Sequence, residues 1–151
     1  MTILALDQSS NKNGWAVFKD NFLIAHGLIV LNTKNPVGER LVELKDKTIQ
    51  LIKKYNIDKV ALEDIQLQAN IYTYKVLAEV LGVLEATLTE LNIDYEIVSA
   101  SKWKSLLCIK GKNRPEQKKE AQKFVESYYK IKATQDEVDA ICIGSTLLDA
   151  F

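Results

Sequence analysis

The chain has 151 residues, of which 47% are hydrophobic and 26% charged, and its formal net charge is zero. That length suits one domain spanning residues 1–151, and the composition excludes disorder of any long stretch. No apolar run has the length needed to cross a bilayer and the N-terminus lacks the basic opening of a secretory signal, so we expect a cytoplasmic protein.

The first third of the chain predicts three strands. Residues 2–7 form a β-branched and leucine run that ends on Asp7, and a polar turn follows it. Residues 15–18 and 22–31 are typical of two further strands, joined by a tight Lys-Asp-Asn turn. Three consecutive strands of this kind predict an antiparallel meander.

The rest of the chain alternates helices and strands. The predicted elements are a helix beginning at Asn35-Pro36, a buried parallel strand at 59–63, an amphipathic helix at 73–91, a strand at 95–98, a helix opening at Pro115, and a final helix from Thr134 to the C-terminus. The order β-β-β-α-β-α-β-α-α predicts an α/β fold, with a mixed five-stranded sheet flanked by helices.

Histidine and cysteine are too scarce to build a zinc site. His26 is the only histidine, and Cys108 and Cys142 lie far apart without a metal-binding motif. Any chemistry must therefore rest on carboxylates and amines.

The positions of four acids are the most informative feature. Asp7 ends the first strand and Glu63 the fourth, so both carboxylates emerge at one edge of the sheet if these strands are parallel neighbours. Asp136 and Asp139 share one face of the last helix. Asp64 is an alternative to Glu63 as the acid of the fourth strand, but strand alternation predicts that the Asp64 side chain points to the opposite face of the sheet.

Convergent carboxylates without histidine suit a hard cation with oxygen ligands, Mg²⁺ or Mn²⁺. Such sites hold two metals roughly 3.5–4 Å apart, one activating water and the other stabilising the leaving 3′ oxygen of a phosphodiester. A structural alternative exists for part of the set. Thr134 to Glu137 is typical of a capping box, which accounts for Glu137 and partly for Asp136, but not for Asp139 in its apolar surroundings.

A basic segment precedes the last helix. Residues 102–132 contain ten Lys or Arg against three Glu, so this segment carries +7 and the remainder −7. The pattern indicates an anion-binding surface beside an acidic pocket; a solvated lysine-rich helix is the alternative.

Three motifs carry a resemblance to a known family. Residues 5–10 with Gly14-Trp15-Ala16-Val17, residues 60–63, and residues 136–141 resemble, in order, the three acidic motifs of RuvC Holliday-junction resolvases in their bacteriophage form. The resemblance covers nearly the whole chain. It implies an RNase H-like fold, a homodimer, and paired Mg²⁺-dependent nicks in branched DNA. Carried over, Asp7, Glu63, Asp136 and Asp139 are the catalytic, metal-binding acids.

The resemblance extends to the basic segment. Residues 100–104 are similar to a family segment with a DNA-contacting lysine, which falls on Lys104, and a second falls on Lys118 or Lys119. The full set expected to contact DNA phosphates is Lys102, Lys104, Lys110, Lys112, Arg114, Lys118 and Lys119. Trp103 is expected to be a buried core side chain.

Two departures from the family pattern bear on substrate choice. Gln8-Ser9 replaces the common Pro-Gly after the first acid, and Gln66 stands where many cellular members have an aromatic residue, with Tyr72 and Tyr74 further on. We expect four-way junctions to be cut, and Y-forks and flaps as well.

The predicted helix at 73–91 suggests how a dimer forms. Ala78, Gly82 and Ala86 make a small-residue stripe at four-residue spacing, which allows close approach of either a second copy or the chain's own neighbouring helix. The residues leave both open, and the family resemblance favours the dimer.

Three other functions fit parts of the pattern. An actin- or sugar-kinase-type phosphate-binding module shares the opening motif but needs two such domains, so no nucleotide cofactor is expected. A branched-DNA-binding protein without catalysis has the same basic segment. An RNase H acting on RNA–DNA hybrids has the same acids. An assay that compares hybrid and junction substrates distinguishes it from a junction nuclease.

Overall fold

The computed structural model describes residues 1–151 and contains five strands and five helices. The strands are β1 (Thr2–Asp7), β2 (Lys12–Lys19), β3 (Phe22–Val30), β4 (Lys59–Glu63) and β5 (Asp94–Val98). The helices are α1 (Val37–Tyr55), α2 (Ile71–Glu90), α3 (Ala100–Leu106), α4 (Arg114–Tyr129) and α5 (Gln135–Ser145).

Two details of the predicted helices were wrong. The seven-residue helix α3 was missing from the predicted order, because it is too short to show helical periodicity; Ser99 caps it by accepting a hydrogen bond from the Lys102 amide. Helix α5 ends at Ser145 rather than at the C-terminus, and the chain continues in turns.

The sheet has the strand order β3-β2-β1-β4-β5. Strands β1, β2 and β3 form the predicted antiparallel meander, while β4 runs parallel to both β1 and β5. Leu6 is paired with Leu62, so the next residues, Asp7 and Glu63, leave the sheet side by side. The mixed five-stranded sheet and the α/β class are confirmed.

Each face of the sheet has its own apolar core. Helix α5 packs across β1 and β2 on one face, with α3 and α4 beside it, and its buried residues include Ile141, Cys142 and Ile143. Helices α1 and α2 cover the other face, around Leu4, Leu6, Leu44 and Leu84 (all essentially buried). Neither β1 nor β4 has a solvated face. An acid at the end of either strand therefore lies where the two apolar cores end.

The small-residue stripe of α2 faces outward. Ala78, Gly82 and Ala86 are exposed, and a side chain added at Gly82 would meet no other atom within 4 Å. Close packing of this stripe on the chain's own neighbouring helix, one of the two alternatives, is therefore excluded.

None of the five helices combines the length and the apolar character of a membrane-spanning segment.

Candidate active site

A cleft of about 290 Å³ opens at the sheet edge where β1 and β4 end. Four acids line it: Asp7 from β1, Glu63 from β4 with Asp64 directly after it, and Asp139 from α5. The rest of the lining comes mainly from α3 and α4 and from the loop after β4. Its members include Trp103, Lys104, Arg114, Gln117, Lys118, Ile65, Gln66 and Gln68.

Glu63 is held from the α3 side by an indole. The Trp103 Nε1 donates a hydrogen bond to Glu63 Oε1 at 3.1 Å. Trp103 is only 3% exposed, which confirms its predicted place in the core. A rigid, buried donor therefore fixes the direction of one acid in the cleft, a contact that the sequence pattern did not reveal.

The N-terminus of α5 is fixed by a capping box. The Thr134 hydroxyl accepts from the Glu137 amide, and Glu137 Oε2 accepts from the Thr134 amide at 2.9 Å. The second carboxylate oxygen of Glu137 lies 2.8 Å from Nδ1 of His26 on β3. Burial opposes ionisation, but the hydrogen bonds from His26 and Thr134 prevail and lower the pKa of Glu137. Glu137 is thus occupied in holding α5 to the sheet.

Gly14 allows α5 to approach the sheet closely at this point. A Cβ at position 14 would overlap the carbonyl group of Asp136. Because Gly14 on β2 is paired with Asp7 on β1, the same close approach brings the first turn of α5 beside Asp7.

The acids perturb one another strongly. Burial, and then the charges of Glu63 and Asp139, raise the pKa of Asp7 to about 9. Burial likewise raises the pKa of Asp139 to about 6, opposed by a hydrogen bond from Gln135 Nε2 (2.8 Å) and by the charge of Lys104. A hydrogen bond shared with the Glu63 carboxyl group raises the pKa of Asp7 further, and no N–H group of the protein bonds to it. A cation is the partner that such a group lacks.

The set of four acids does not converge completely. Asp136 raises the pKa values of Asp7 and Asp139 through its charge, but it does not line the cleft. As the side chains are placed, no three His, Cys, Asp or Glu residues stand close enough together to hold a metal ion. The donor set nevertheless fits a hard divalent cation, because it consists of carboxylate oxygens in a partly buried, electrostatically unsatisfied cluster.

The predicted basic residues divide into three groups. Lys104, Arg114 and Lys118 line the cleft, and the Lys104 ammonium lies 5.3 Å from the centre of the Trp103 ring. Lys102 instead pairs with Glu96 on β5 at 2.8 Å. The remaining three are exposed outside the cleft: Lys110, Lys112 and Lys119.

Asp64 contradicts its predicted position. It lines the same cleft as Glu63, not the opposite face of the sheet. The reason is that β4 ends at Glu63, so strand alternation no longer applies; the Asp64 amide still bonds to Val98, while its carboxylate accepts from the Ile65 amide.

Comparison with known proteins agrees with this architecture. The family model described as crossover junction endodeoxyribonuclease RuvC matches residues 3–146. The RuvC crossover junction endodeoxyribonuclease of Ehrlichia canis (strain Jake) is 29% identical over 149 residues, covering 95% of this chain and 94% of the relative. That of Rickettsia africae (strain ESF-5) is 26% identical, covering 98% and 97%.

Two solved structures share the fold. Thermus thermophilus RuvC in complex with a Holliday junction superposes with a TM-score of 0.82 at 15% identity, covering 97% of this chain and 92% of that one. The Fowlpox virus resolvase in complex with Holliday junction DNA gives 0.68 at 15% identity, covering 99% and 98%. With the family model matched from the first strand to the end of the last helix, the chain belongs to the RuvC family of crossover junction endodeoxyribonucleases, the Holliday junction resolvases.

Proposed function

We propose that Asp7, Glu63, Asp136 and Asp139 are the catalytic acids of this resolvase. They would hold Mg²⁺, with Mn²⁺ able to substitute, at two ions per active site. The observation that carries this proposal is the meeting of three carboxylates from β1, β4 and α5 at one cleft, where burial beside the other acids raises the pKa of Asp7 to about 9. Bound divalent ions activate water and stabilise the leaving oxygen during phosphodiester hydrolysis.

The chain's own residues prepare this reaction in three ways. Asp7 and Asp139 release their protons as cations bind, because the positive charge offsets the mutual repulsion of the acids. Trp103 keeps Glu63 directed into the cleft. Lys104, Arg114 and Lys118, which line the same cleft, neutralise phosphates of the strand to be cut. Asp136 does not line the cleft, so its side chain must turn inward to join the other acids.

Branched DNA is the substrate that we propose. The Thermus and Fowlpox proteins were each solved with Holliday junctions, and the fold is shared. The exposed basic residues beyond the cleft extend a surface for phosphates: Lys110, Lys112 and Lys119. Because Gln66 replaces an aromatic residue, we infer that Y-forks and flaps are cut in addition to four-way junctions. A bacteriophage origin stays a prediction that rests on the resemblance of the motifs to the bacteriophage form of the family.

We infer that residues 1–151 act as one nuclease domain and that two copies pair through α2. The support is the outward-facing stripe of Ala78, Gly82 and Ala86, which leaves room for a second helix at short distance. A two-fold axis through this face relates two clefts, so that two strands of one junction are nicked together.

A nicking assay on synthetic four-way junctions, Y-junctions and RNA–DNA hybrids tests the proposal. Asp7→Asn preserves shape and removes one charge, so it should bind junctions but cut them about 10²–10³-fold more slowly than the unmodified protein, the scale of losses when an essential charge-stabilising group is removed. Asp46→Asn, on the exposed side of α1, is the matched control and should cut normally.

Each alternative predicts a different result. If the unmodified protein binds junctions but never cuts, it is a branched-DNA-binding protein without catalysis. If it cuts hybrids in preference to junctions, it is an RNase H.

A further inference from the structure

Gln8 joins the ends of the two strands that carry the first two acids. Its Nε2 donates to the backbone carbonyl of Glu63 at 2.6 Å, and its Oε1 accepts from the Glu63 backbone amide at 3.1 Å. Gln8 is 8% exposed and follows Asp7 directly. One buried side chain therefore makes both hydrogen bonds to the backbone of a single residue, Glu63.

These two bonds replace a missing rung of the sheet. Strands β1 and β4 are paired from Ile3 and Lys59 to Leu6 and Leu62, and β1 ends at Asp7. In a parallel ladder the N–H and C=O of one residue point to the same neighbour. The pairing of β1 with β4 does not extend to Asp7 and Glu63, although Asp7 is still paired with Gly14 on β2. A carboxamide offers the same donor and acceptor as a peptide group, so Gln8 links the two strand ends where their backbone pairing stops.

The other side of Glu63 is also fixed. The amide of the next residue, Asp64, bonds to Val98 on β5, and the Glu63 carboxylate accepts from Trp103. With Gln8, the backbone of Glu63 is held from β1, its successor from β5 and its side chain from α3. Of these contacts, only the two hydrogen bonds of Gln8 connect Glu63 to the segment that carries Asp7.

We propose that Gln8 is a positioning residue, which sets the separation of the Asp7 and Glu63 carboxylates by clamping the end of β1 to the Glu63 peptide. It touches neither substrate nor metal in this role. The inference rests on the proposed assignment of Asp7 and Glu63 as catalytic acids, and it assigns a purpose to a residue that departs from the Pro-Gly of the family motif.

Gln8→Met is the test variant, because it keeps the length and approximate volume of the side chain and removes both hydrogen bonds. We expect kcat on a four-way junction to fall by about 10–100-fold with KM unchanged, the size of effect seen when groups that orient metal-binding residues are lost. Gln50→Met, on the exposed side of α1, is the matched control and should retain full kcat.

A second readout does not depend on cutting. Binding of Mn²⁺ alone, followed by electron paramagnetic resonance, should weaken by about tenfold in Gln8→Met while the melting temperature of the DNA-bound protein stays close to that of the unmodified one. Unchanged kcat and unchanged Mn²⁺ affinity in a folded Gln8→Met would overturn the proposal. A raised KM with unchanged kcat would overturn it as well, because positioning acts on the acids and not on DNA affinity.

The unmodified protein provides a measurement that survives if the variant fails to fold. The Gln8 carboxamide protons and the Glu63 amide proton should exchange slowly with solvent in nuclear magnetic resonance spectra, as expected for a buried pair of bonds. Rapid exchange of both would sink the idea. If the unmodified protein instead shows the slow exchange but cuts nothing, the proposed function fails while the clamp itself stands.

Discussion

At the scale of single residues, Asp7 couples function to stability. Its pKa in the folded protein is about 9, against an ordinary value of 3.8, because it is buried beside other acids. At neutral pH the metal-free folded protein therefore retains a proton that the unfolded chain has released. The stabilising contribution of this group is complete below about pH 4 and is lost progressively as the pH rises toward 9.

Asp7→Asn should for this reason stabilise the metal-free protein. The amide cannot ionise, so the variant folds without having to take up a proton that the unfolded chain has released at this pH. We expect a melting temperature several degrees above that of the unmodified protein at pH 8 in EDTA, since about 1 kcal/mol corresponds to roughly 2–4 °C in a domain of this size. The gain should shrink at pH 5, where the folded protein keeps Asp7 protonated.

Thermal unfolding at both pH values measures the effect, with Asp46→Asn as the control for loss of an exposed charge. An Asp7→Asn protein that melts no higher than the unmodified one at pH 8 contradicts the electrostatic strain assigned to this acid. The expected trade of stability for activity is a common property of catalytic sites.

At the scale of elements, the geometry of the site depends on how α5 meets β2. A methyl group at position 14 would overlap the Asp136 carbonyl, so Gly14→Ala must push the first turn of α5 away from the sheet. Displacement of catalytic groups by about 1 Å can reduce a rate by about 10²-fold, and we expect a loss of that order in nicking. The His26–Glu137 contact, which fixes the same turn, should be strained too.

Gly38→Ala is the matched control for Gly14→Ala. It lies in the first turn of α1, where an added Cβ meets nothing within 4 Å, and alanine is the better helix former. Nicking rates and melting temperatures of the two variants distinguish displacement from general destabilisation. Equal activity of Gly14→Ala and the unmodified protein would show that α5 tolerates the shift.

The strands and the positions of the acids on them were predictable because apolar runs bounded by polar turns mark them. Asp7 and Glu63 each end such a run, and the parallel pairing of β1 and β4 brings them together as expected. The position of Asp64 was not predictable, because side-chain alternation holds only within a strand and Asp64 lies just past the end of β4.

Contacts between elements could not be inferred from local patterns. The Gln8 carboxamide and the Trp103 indole both act on Glu63 from residues more than 35 positions away. These two contacts depend on the register of neighbouring strands and on α3, a helix too short to show helical periodicity in the sequence. The same holds for the basic residues: sequence identified the segment, but only the fold separates Lys104 and Lys118 in the cleft from Lys102, which is paired with Glu96.

At the scale of the whole molecule, charge separation predicts how DNA binding responds to salt. A net charge of zero divides into a basic segment and an acidic remainder, so affinity for a junction should fall steeply with salt through release of counterions. Lys104→Ala and Lys118→Ala should each lower the slope of log K against log salt by about one. Lys53→Ala, exposed on α1, should leave it unchanged.

Fluorescence anisotropy with a labelled four-way junction in EDTA gives these slopes without cutting. Equal slopes for Lys104→Ala and Lys53→Ala would remove the cleft from the DNA-binding surface. Lys102→Ala offers an internal comparison, because the salt bridge to Glu96 must break before this lysine contacts a phosphate, and its effect should be the smaller.

The two-fold assembly proposed through α2 determines whether nicks are paired. Gly82 faces open space in the single chain, so Gly82→Arg is accommodated without strain in a monomer but obstructs a second helix approaching at short distance. We expect this variant to sediment as a monomer and remain folded, with a melting temperature that no longer depends on protein concentration. On a supercoiled plasmid carrying an extruded cruciform, the unmodified protein, paired as proposed, should linearise the plasmid within one binding event, whereas Gly82→Arg should release nicked circles. If Gly82→Arg stays dimeric and still linearises the plasmid, the stripe on α2 is not the interface, and the paired clefts must be related through another surface.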